Sequence, residues 1–288
     1  MKTMLMRLIP AALTLCLTLT ACGGNPGAAE TPGSAAPTGS QTPAAESDLD
    51  YVKGNGVLKI GYTLFEPMNY LGEDGELTGF ETEFATAVCA KLGVEPKFVE
   101  INWDAKLLEL ESKNIDCIWN GMSITSEREE SMAMTFPYLN NQIVCYVKDD
   151  SDITSLADLA GKSVAVQNGS YAEELLLSDA YADAKASFAD MPGFEDYLTA
   201  LMDLQQGGVD AVIMDLVVGD YRINSMGAEN LKAAFPLEDD NYGIGFRKED
   251  IALRDKVEEL LIEMKKDGTL EKISTQWFGS DITVVPAE

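Results

Sequence analysis

The sequence predicts an α/β protein made of two related lobes, each a mostly parallel sheet flanked by helices. Three observations carry this. Strand-like and helix-like segments alternate along the chain from about residue 49, the pattern of parallel sheets covered by helices. The alternation restarts near residue 155. A short pattern also recurs: Leu107-Leu108-x-Leu110 running into Ile115-Asp116-Cys117-Ile118 returns 94 residues later, at Leu201-Met202-x-Leu204 running into Val209-Asp210-Ala211-Val212.

Taken in order, "VLKIGY" (Val57 to Tyr62) reads as a strand. Asp74-Gly75 marks a hairpin turn between extended segments. Phe80, Phe84, Val88 and Leu92 recur at helical spacing, and Gly93 closes that helix. "PKFVEI" is the next strand, Asn102 caps a helix running to Leu110, and "IDCIWN" is the following strand. In "SLADLAGKSVAVQNGS" a helix precedes a strand. "FEDYLTALMDLQQGGVDAVIMD" reads as a helix, a Gly-Gly stop and a strand. Near the end, Leu253, Val257, Leu260, Leu261 and Met264 form the apolar face of a long helix that stops at Asp267-Gly268, and a short helix follows. The repeat places the ends of two equivalent strands at Asn120/Gly121 and Met214/Asp215, and ligands of open α/β sheets lie beyond such ends.

Composition narrows the chemistry. Hydrophobic residues make up 46% of the 288, enough for a sizeable core. The net charge of −27 repels nucleic acid and anionic lipid headgroups. There is no histidine, which excludes Ser-His-Asp and Cys-His hydrolases and argues against a transition-metal receptor. No cofactor or metal site is expected. Cys89, Cys117 and Cys145 lie in apolar segments without CxxC spacing and read as buried free thiols.

The N-terminus reads as an export signal over residues 1–21: Lys2 and Arg7, then a short apolar run, then "LTAC". This ending resembles a bacterial lipobox. The resemblance implies that Cys22 becomes the lipid-bearing first residue of the mature chain, tethered to the extracytoplasmic face of the membrane. Residues 22–48 read as a flexible linker, since Gly23 to Ser47 contains no Leu, Ile, Val, Met or aromatic residue.

One stretch poses a question. In "NGMSITSERE", Thr125 or Ser126 can cap a helix, and Ser126 to Glu129 fits a capping box. Arg128 then stands in the first turn, where the helix dipole disfavours a cation.

The ordered set "GVLKIGY", "DGELTGFETEFATAVCAKLG", "NWDAKLLEL", "IDCIWNGMSITSERE", "FPYL", "GKSVAVQNGS", "GGVDAVIMD", "YGIGF" and "DGTLEKISTQWFG" resembles the solute-binding proteins of amino-acid ABC importers. The resemblance covers about Val57 to Gly279. It implies a type II periplasmic-binding-protein-like fold with two hinge strands, near "NNQIVCY" and "LEDDNYG". Lobe 1 is then expected over 49–141 and 239–288, and lobe 2 over 142–238. It implies a monomer that captures a free α-amino acid and docks on a membrane ABC permease.

The same resemblance implies roles for residues. Arg128 holds the ligand carboxylate, a match for its planar fork. Gly121 and Ser123, with Asn120 at the strand end, complete the carboxylate cradle and accept from the α-ammonium. Asp215 pairs with the α-ammonium; capping the helix from Leu216 is the plainer role for an Asp there, and the two can coexist. Ser170 offers a hydroxyl or N–H from lobe 2, with Tyr171 a weaker candidate. Phe65 and Trp103 form an aromatic wall. Many relatives carry an acidic residue before this aromatic, where Tyr62 and Thr63 stand here. A polar uncharged ligand side chain therefore fits better than a basic one, although Glu66 could restore a cation preference. Two other readings use the same scaffold: a dehydratase of cyclic carboxylates with Glu66 as general acid, and a sensor for a membrane kinase.

Overall fold

The computed structural model describes residues 47–288, which form one compact unit. Helix α1 (Asp48–Asn55) leads to β1 (Val57–Tyr62), the hairpin strands β2 (Tyr70–Leu71) and β3 (Leu77–Thr78), α2 (Phe80–Leu92), β4 (Glu95–Glu100), α3 (Lys106–Glu111) and β5 (Cys117–Ser123). Next come α4 (Ser126–Ser131), β6 (Met132–Met134) and the long β7 (Leu139–Lys148). The second lobe runs through β8 (Val164–Gln167), α5 (Tyr171–Leu177), α6 (Ala182–Ser187), β9 (Gly193–Phe194), α7 (Tyr197–Gln206), β10 (Ala211–Asp215) and α8 (Leu216–Ser225). The chain returns along β11 (Leu231–Arg247) and ends in α9 (Ile251–Lys266) and α10 (Thr269–Phe278).

Nine strands form one sheet in the order β4-β1-β5-β11-β7-β10-β8-β9, with β6 paired to β11. Its two ends are parallel blocks: β1 with β4 and β5, and β8 with β10 and β9. At its centre the long strands β7 and β11 run antiparallel and carry the sheet from one lobe into the other. The order reads alike from either end. The two strands of the sequence repeat, β5 and β10, each lie between a parallel neighbour and one of these central strands.

Helical periodicity translates directly into packing. Phe80, Phe84 and Val88 of α2 are fully buried, and the Phe84 ring meets Trp119 at 5.0 Å and Tyr138 at 5.5 Å between centroids. All five apolar residues expected on the α9 face are buried. Cys89, Cys117 and Cys145 are free and buried. Burial pushes the Cys89 and Cys145 thiols up to about 12, which makes them poor nucleophiles.

Several local expectations change. The signal peptide of 1–21, Cys22 and the linker as far as residue 46 lie outside the described residues. The expected linker ends in folded chain: Ser47 caps α1 by accepting from the Asp50 N–H at 3.1 Å, and Asp48 accepts from the Leu253 N–H at 2.8 Å. The helix expected from Asn102 is a 3₁₀ turn (Trp103–Ala105) followed by α3. "SLADL" is likewise a 3₁₀ turn, Leu156–Leu159. The cap of α4 is Thr125, whose Oγ1 accepts from the Arg128 N–H at 3.2 Å, rather than the Ser126/Glu129 box. Strand β5 starts at Cys117 instead of Ile115 and runs to Ser123, so Gly121 and Ser123 belong to the strand and not to a loop after it.

Candidate ligand-binding site

One pocket between the lobes is lined by Phe65, Trp103, Asn120, Gly121, Ser123, Arg128, Ser170 and Asp215, together with Gln167, Tyr171 and Tyr197. Every site residue expected from sequence therefore faces the same space. The strand register explains part of this. Met122 of β5 pairs with Gly243 of β11, and Ile118 pairs with Gly245. Three β5 residues, Trp119 to Gly121, thus oppose the single Ile244, a bulge that turns their groups out of the ladder.

Gly121 has φ +56°, and a Cβ there would lie 2.6 Å from Cε1 of Phe65. The position needs glycine for both reasons. Gly121→Ala is expected to cost about 1–3 kcal/mol of stability and to weaken ligand binding as Phe65 is displaced. Thermal unfolding and titration calorimetry check this, and wild-type values for both would refute it.

The pocket has a cationic corner. Arg128 is buried on α4 and donates from Nη1 to the Ser123 carbonyl at 3.0 Å. Its Nη2 reaches the Glu174 carboxylate at 2.8 Å and the Gly169 carbonyl at 3.4 Å, both on the opposite lobe. Its Nε is buried without a hydrogen-bond partner among the described residues. Lys106 donates to the same Gly169 carbonyl at 2.8 Å and lies 4.9 Å from the centroid of the Trp103 ring. Burial first, and then the Arg128 charge, bring the Lys106 ammonium down to about 8. Two cations thus converge; Glu174 pairs with Arg128, and the charges of Glu174, Asp104 and Glu173 act on Lys106. The anion on Arg128 in this structure is neither Glu129 nor Glu130 but Glu174, across the cleft.

The other corner is anionic. Asp215 Oδ1 accepts from Asn141 Nδ2 at 2.7 Å and from the Tyr242 hydroxyl at 2.7 Å. Asp240 Oδ2 accepts from Ser123 Oγ and from the same Asn141 amide, both at 2.8 Å. Asp240 Oδ1 and the Tyr197 hydroxyl are buried without partners among the described residues. Burial, and then the Asp240 charge, push the Asp215 carboxyl up to about 7. Asp240 is also raised, chiefly by burial. Two carboxylates share one amide, and no Lys or Arg pairs with either among the described residues, an arrangement whose chemistry suits an ammonium group.

These contacts revise several residue roles. The Ser123 hydroxyl donates its one proton to Asp240, which leaves its lone pairs to accept from an ammonium. The Gly121 N–H is spent on the Glu81 carboxylate at 2.9 Å. Asp215 makes no side-chain cap on α8, which leaves its carboxylate to the pocket. Ser170 does cap α5, its Oγ accepting from the Glu173 N–H at 3.2 Å. Asn120 holds Thr63: its Oδ1 accepts from the Thr63 N–H at 3.0 Å, and its Nδ2 donates to Thr63 Oγ1 at 2.7 Å. Phe65 packs on Tyr197, ring centroids 6.0 Å apart. Glu66 is bound in an ion pair with Arg222 of α8 and is not a free carboxylate facing the ligand.

Beyond Trp103 and Gln167, which both spaces share, a larger chamber of about 460 Å³ opens. Thr63, Glu66, Tyr70 and Glu100 line it from one lobe, and Glu195 and Arg222 from the other. Lys106, Asn141, Glu174, Tyr197 and Asp240 were not singled out from sequence. Lys106 looks like a solvated helix position and Tyr197 like a core residue. Asn141 and Asp240 do fall within the two expected hinge stretches, the one signal that pointed to them.

An α/β pair of lobes meeting over a pocket of opposed charges defines a two-lobed solute-binding protein. The chain belongs to the bacterial extracellular solute-binding proteins, family 3, whose sequence model matches residues 58–280. Its fold is the expected type II periplasmic-binding-protein fold. It is similar to an L-cystine-binding protein of Escherichia coli (strain K12), with 32% identity over 83% of this chain and 89% of that one. It is also similar to the crystal structure of an ABC uptake transporter substrate-binding protein from Streptococcus pneumoniae with bound histidine. That match has 32% identity and a TM-score of 0.80, covering 84% of this chain and all of the other. A third match, at 29% identity and TM-score 0.73, covers 81% of this chain and 100% of the other. It is an ancestral amino acid-binding protein described as a precursor of cyclohexadienyl dehydratase.

Proposed function

We propose that this chain captures a free α-amino acid between its lobes and delivers it to a membrane ABC permease. The observation that carries the reading is the pair of opposed corners in one pocket. Arg128, which shares the Gly169 carbonyl with Lys106, lines one side, and Asp215, which shares the Asn141 amide with Asp240, lines the other; no Lys or Arg pairs with either carboxylate among the described residues. A zwitterion satisfies both at once, whereas a simple anion or cation satisfies one. The amino-acid-binding relatives support the same reading.

In this mechanism the ligand carboxylate takes the Arg128 fork from Glu174, and the α-ammonium settles against Asp215, Asp240 and the Gly121 region. Phe65, Trp103 and Tyr197 exclude water. Lobe 1 (49–141 and 239–288) and lobe 2 (142–238) turn about the central strands β7 and β11. A ligand touching both lobes favours the closed arrangement by its differential affinity for it. The ligand side chain leaves past Trp103 and Gln167 into the larger chamber. With Glu66 held by Arg222, a polar side chain remains the better fit. We further assign lipid attachment to Cys22, extracytoplasmic anchoring through that lipid, and a monomeric body.

A thermal-shift screen against the twenty amino acids and L-cystine tests the reading, since a ligand raises the midpoint through ln(1 + [L]/Kd). No shift with any of them would overturn it. The same reading holds that the chain is not an enzyme. The Glu66–Arg222 pair argues against Glu66 as a general acid, and turnover of prephenate or arogenate would decide for the dehydratase. Glu174→Gln is expected to tighten amino-acid binding severalfold, because the variant removes the internal anion that competes for Arg128. Weaker binding by that variant would mean that Glu174 assists the ligand.

A further inference from the structure

We propose that Glu81 is the positioning residue of the ligand site: its carboxylate holds the β5 bulge and, through Asn69, the Phe65 wall. This rests on the reading that the ligand binds among Phe65, Asn120, Gly121 and Arg128. Glu81 lies in the first turn of α2, is fully buried, and does not itself line the pocket. No Lys or Arg pairs with it among the described residues. A buried carboxylate without a counter-cation is costly unless donors surround it.

Here the donors come from three separate segments. The Gly121 N–H of the bulge lies 2.9 Å from each carboxylate oxygen. Asn69 Nδ2, from the segment between β1 and β2, reaches Oε2 at 3.1 Å. The Tyr138 hydroxyl, just ahead of β7, donates to Oε1. Tyr138 is the one titratable group bonded to Glu81 among the described residues. Burial lifts the Glu81 carboxyl to about 7 while all three donors pull it down.

Asn69 passes the constraint on. Its Nδ2 also reaches Asn120 Oδ1 at 2.9 Å and the Trp119 carbonyl at 3.2 Å. Its backbone exchanges two hydrogen bonds with Phe65, at 2.7 and 3.1 Å. Its Oδ1 is in turn fixed by Thr82 Oγ1 at 2.8 Å. Three pocket residues, Gly121, Asn120 and Phe65, are therefore tied to one carboxylate directly or through one intermediary. The chemistry calls for an acid. All three partners present donors, and a carboxylate only accepts, whereas a glutamine would set an NH₂ against one of them.

The test compares the full chain with Glu81→Gln, Asn69→Ala and Arg128→Ala. The probe is whichever of the twenty amino acids or L-cystine gives the largest wild-type thermal shift. Glu81→Gln is expected to weaken the probe about tenfold, the loss that follows from one unsatisfied buried donor. It is also expected to speed amide exchange across residues 117–123 while leaving α9 at wild-type rates. Affinity within twofold of wild type together with wild-type exchange at 117–123 would overturn the proposal. If Glu81→Gln does not fold, Asn69→Ala carries the test by cutting the branch to Phe65 and Asn120, and unchanged affinity there overturns it equally. Arg128→Ala separates the two ideas. Full binding by that variant sinks the site itself, whereas its loss beside an unaffected Glu81→Gln sinks only the positioning role.

Discussion

Arg128→Ala is expected to weaken amino-acid binding by about 3–5 kcal/mol, a hundredfold or more. The size follows from burial. Arg128 is 4% exposed, and its guanidinium bridges Ser123 of one lobe to Glu174 and Gly169 of the other. Alanine leaves a ligand carboxylate facing Lys106 alone, a point charge that is already bonded to Gly169. Arg128→Lys keeps the charge but loses the fork, and should recover only part of the affinity. Calorimetry on both variants checks this. If Arg128→Ala bound amino acids as tightly as wild type, the carboxylate would have to lie elsewhere.

Asp215→Asn is expected to cost a further 2–5 kcal/mol of binding, again by about the usual loss for one member of a buried charge pair. It should also change the pH dependence of binding. In the protein alone, Asp215 holds its proton up to about pH 7. An ammonium favours the ionised carboxylate, so binding below that pH must release a proton. Affinity should therefore rise as pH increases towards about 7 and then flatten, by at most tenfold per unit per proton. Folding stability without ligand runs the other way. The raised carboxyl binds its proton more tightly in the folded chain, so its contribution is present near pH 4 and is lost as pH rises through about 7. Asp240 shares the titration, so the steps belong to the pair. Calorimetry in buffers of different ionisation enthalpy counts the protons. A wild-type affinity that stays flat from pH 5 to 8 would exclude Asp215 as the ammonium partner.

How much of this was legible in the sequence differs by level. Element order was legible because apolar spacing sets which face of a helix or strand can be buried, as the α2 and α9 faces illustrate. The residues lining the pocket were legible through ordered motifs, and all eight expected residues meet there. Element edges were less so. Strand β5 runs past its expected end because β11 pairs with it as far as Ser123, a long-range contact that local pattern does not encode.

What the sequence determined by itself is the alternating two-lobed α/β architecture, its internal repeat, the placing of Asn120/Gly121 and Asp215 at the ends of related strands, and a cation, Arg128, in the first turn of the helix that follows the first of them. What only the tertiary structure decided is which charge meets which. The chain carries 48 acidic residues, and nothing local marks Glu174 as the partner of Arg128, Asp240 as the neighbour of Asp215, or Glu81 as the support beneath Gly121. The physical reason is that Coulomb and hydrogen-bond energies depend on distance and burial in space. Those pairs, 46, 25 and 40 residues apart in the chain, come together only when the lobes and their central strands are assembled. The cation at the start of α4, misplaced by helix electrostatics alone, becomes intelligible as one side of a cleft.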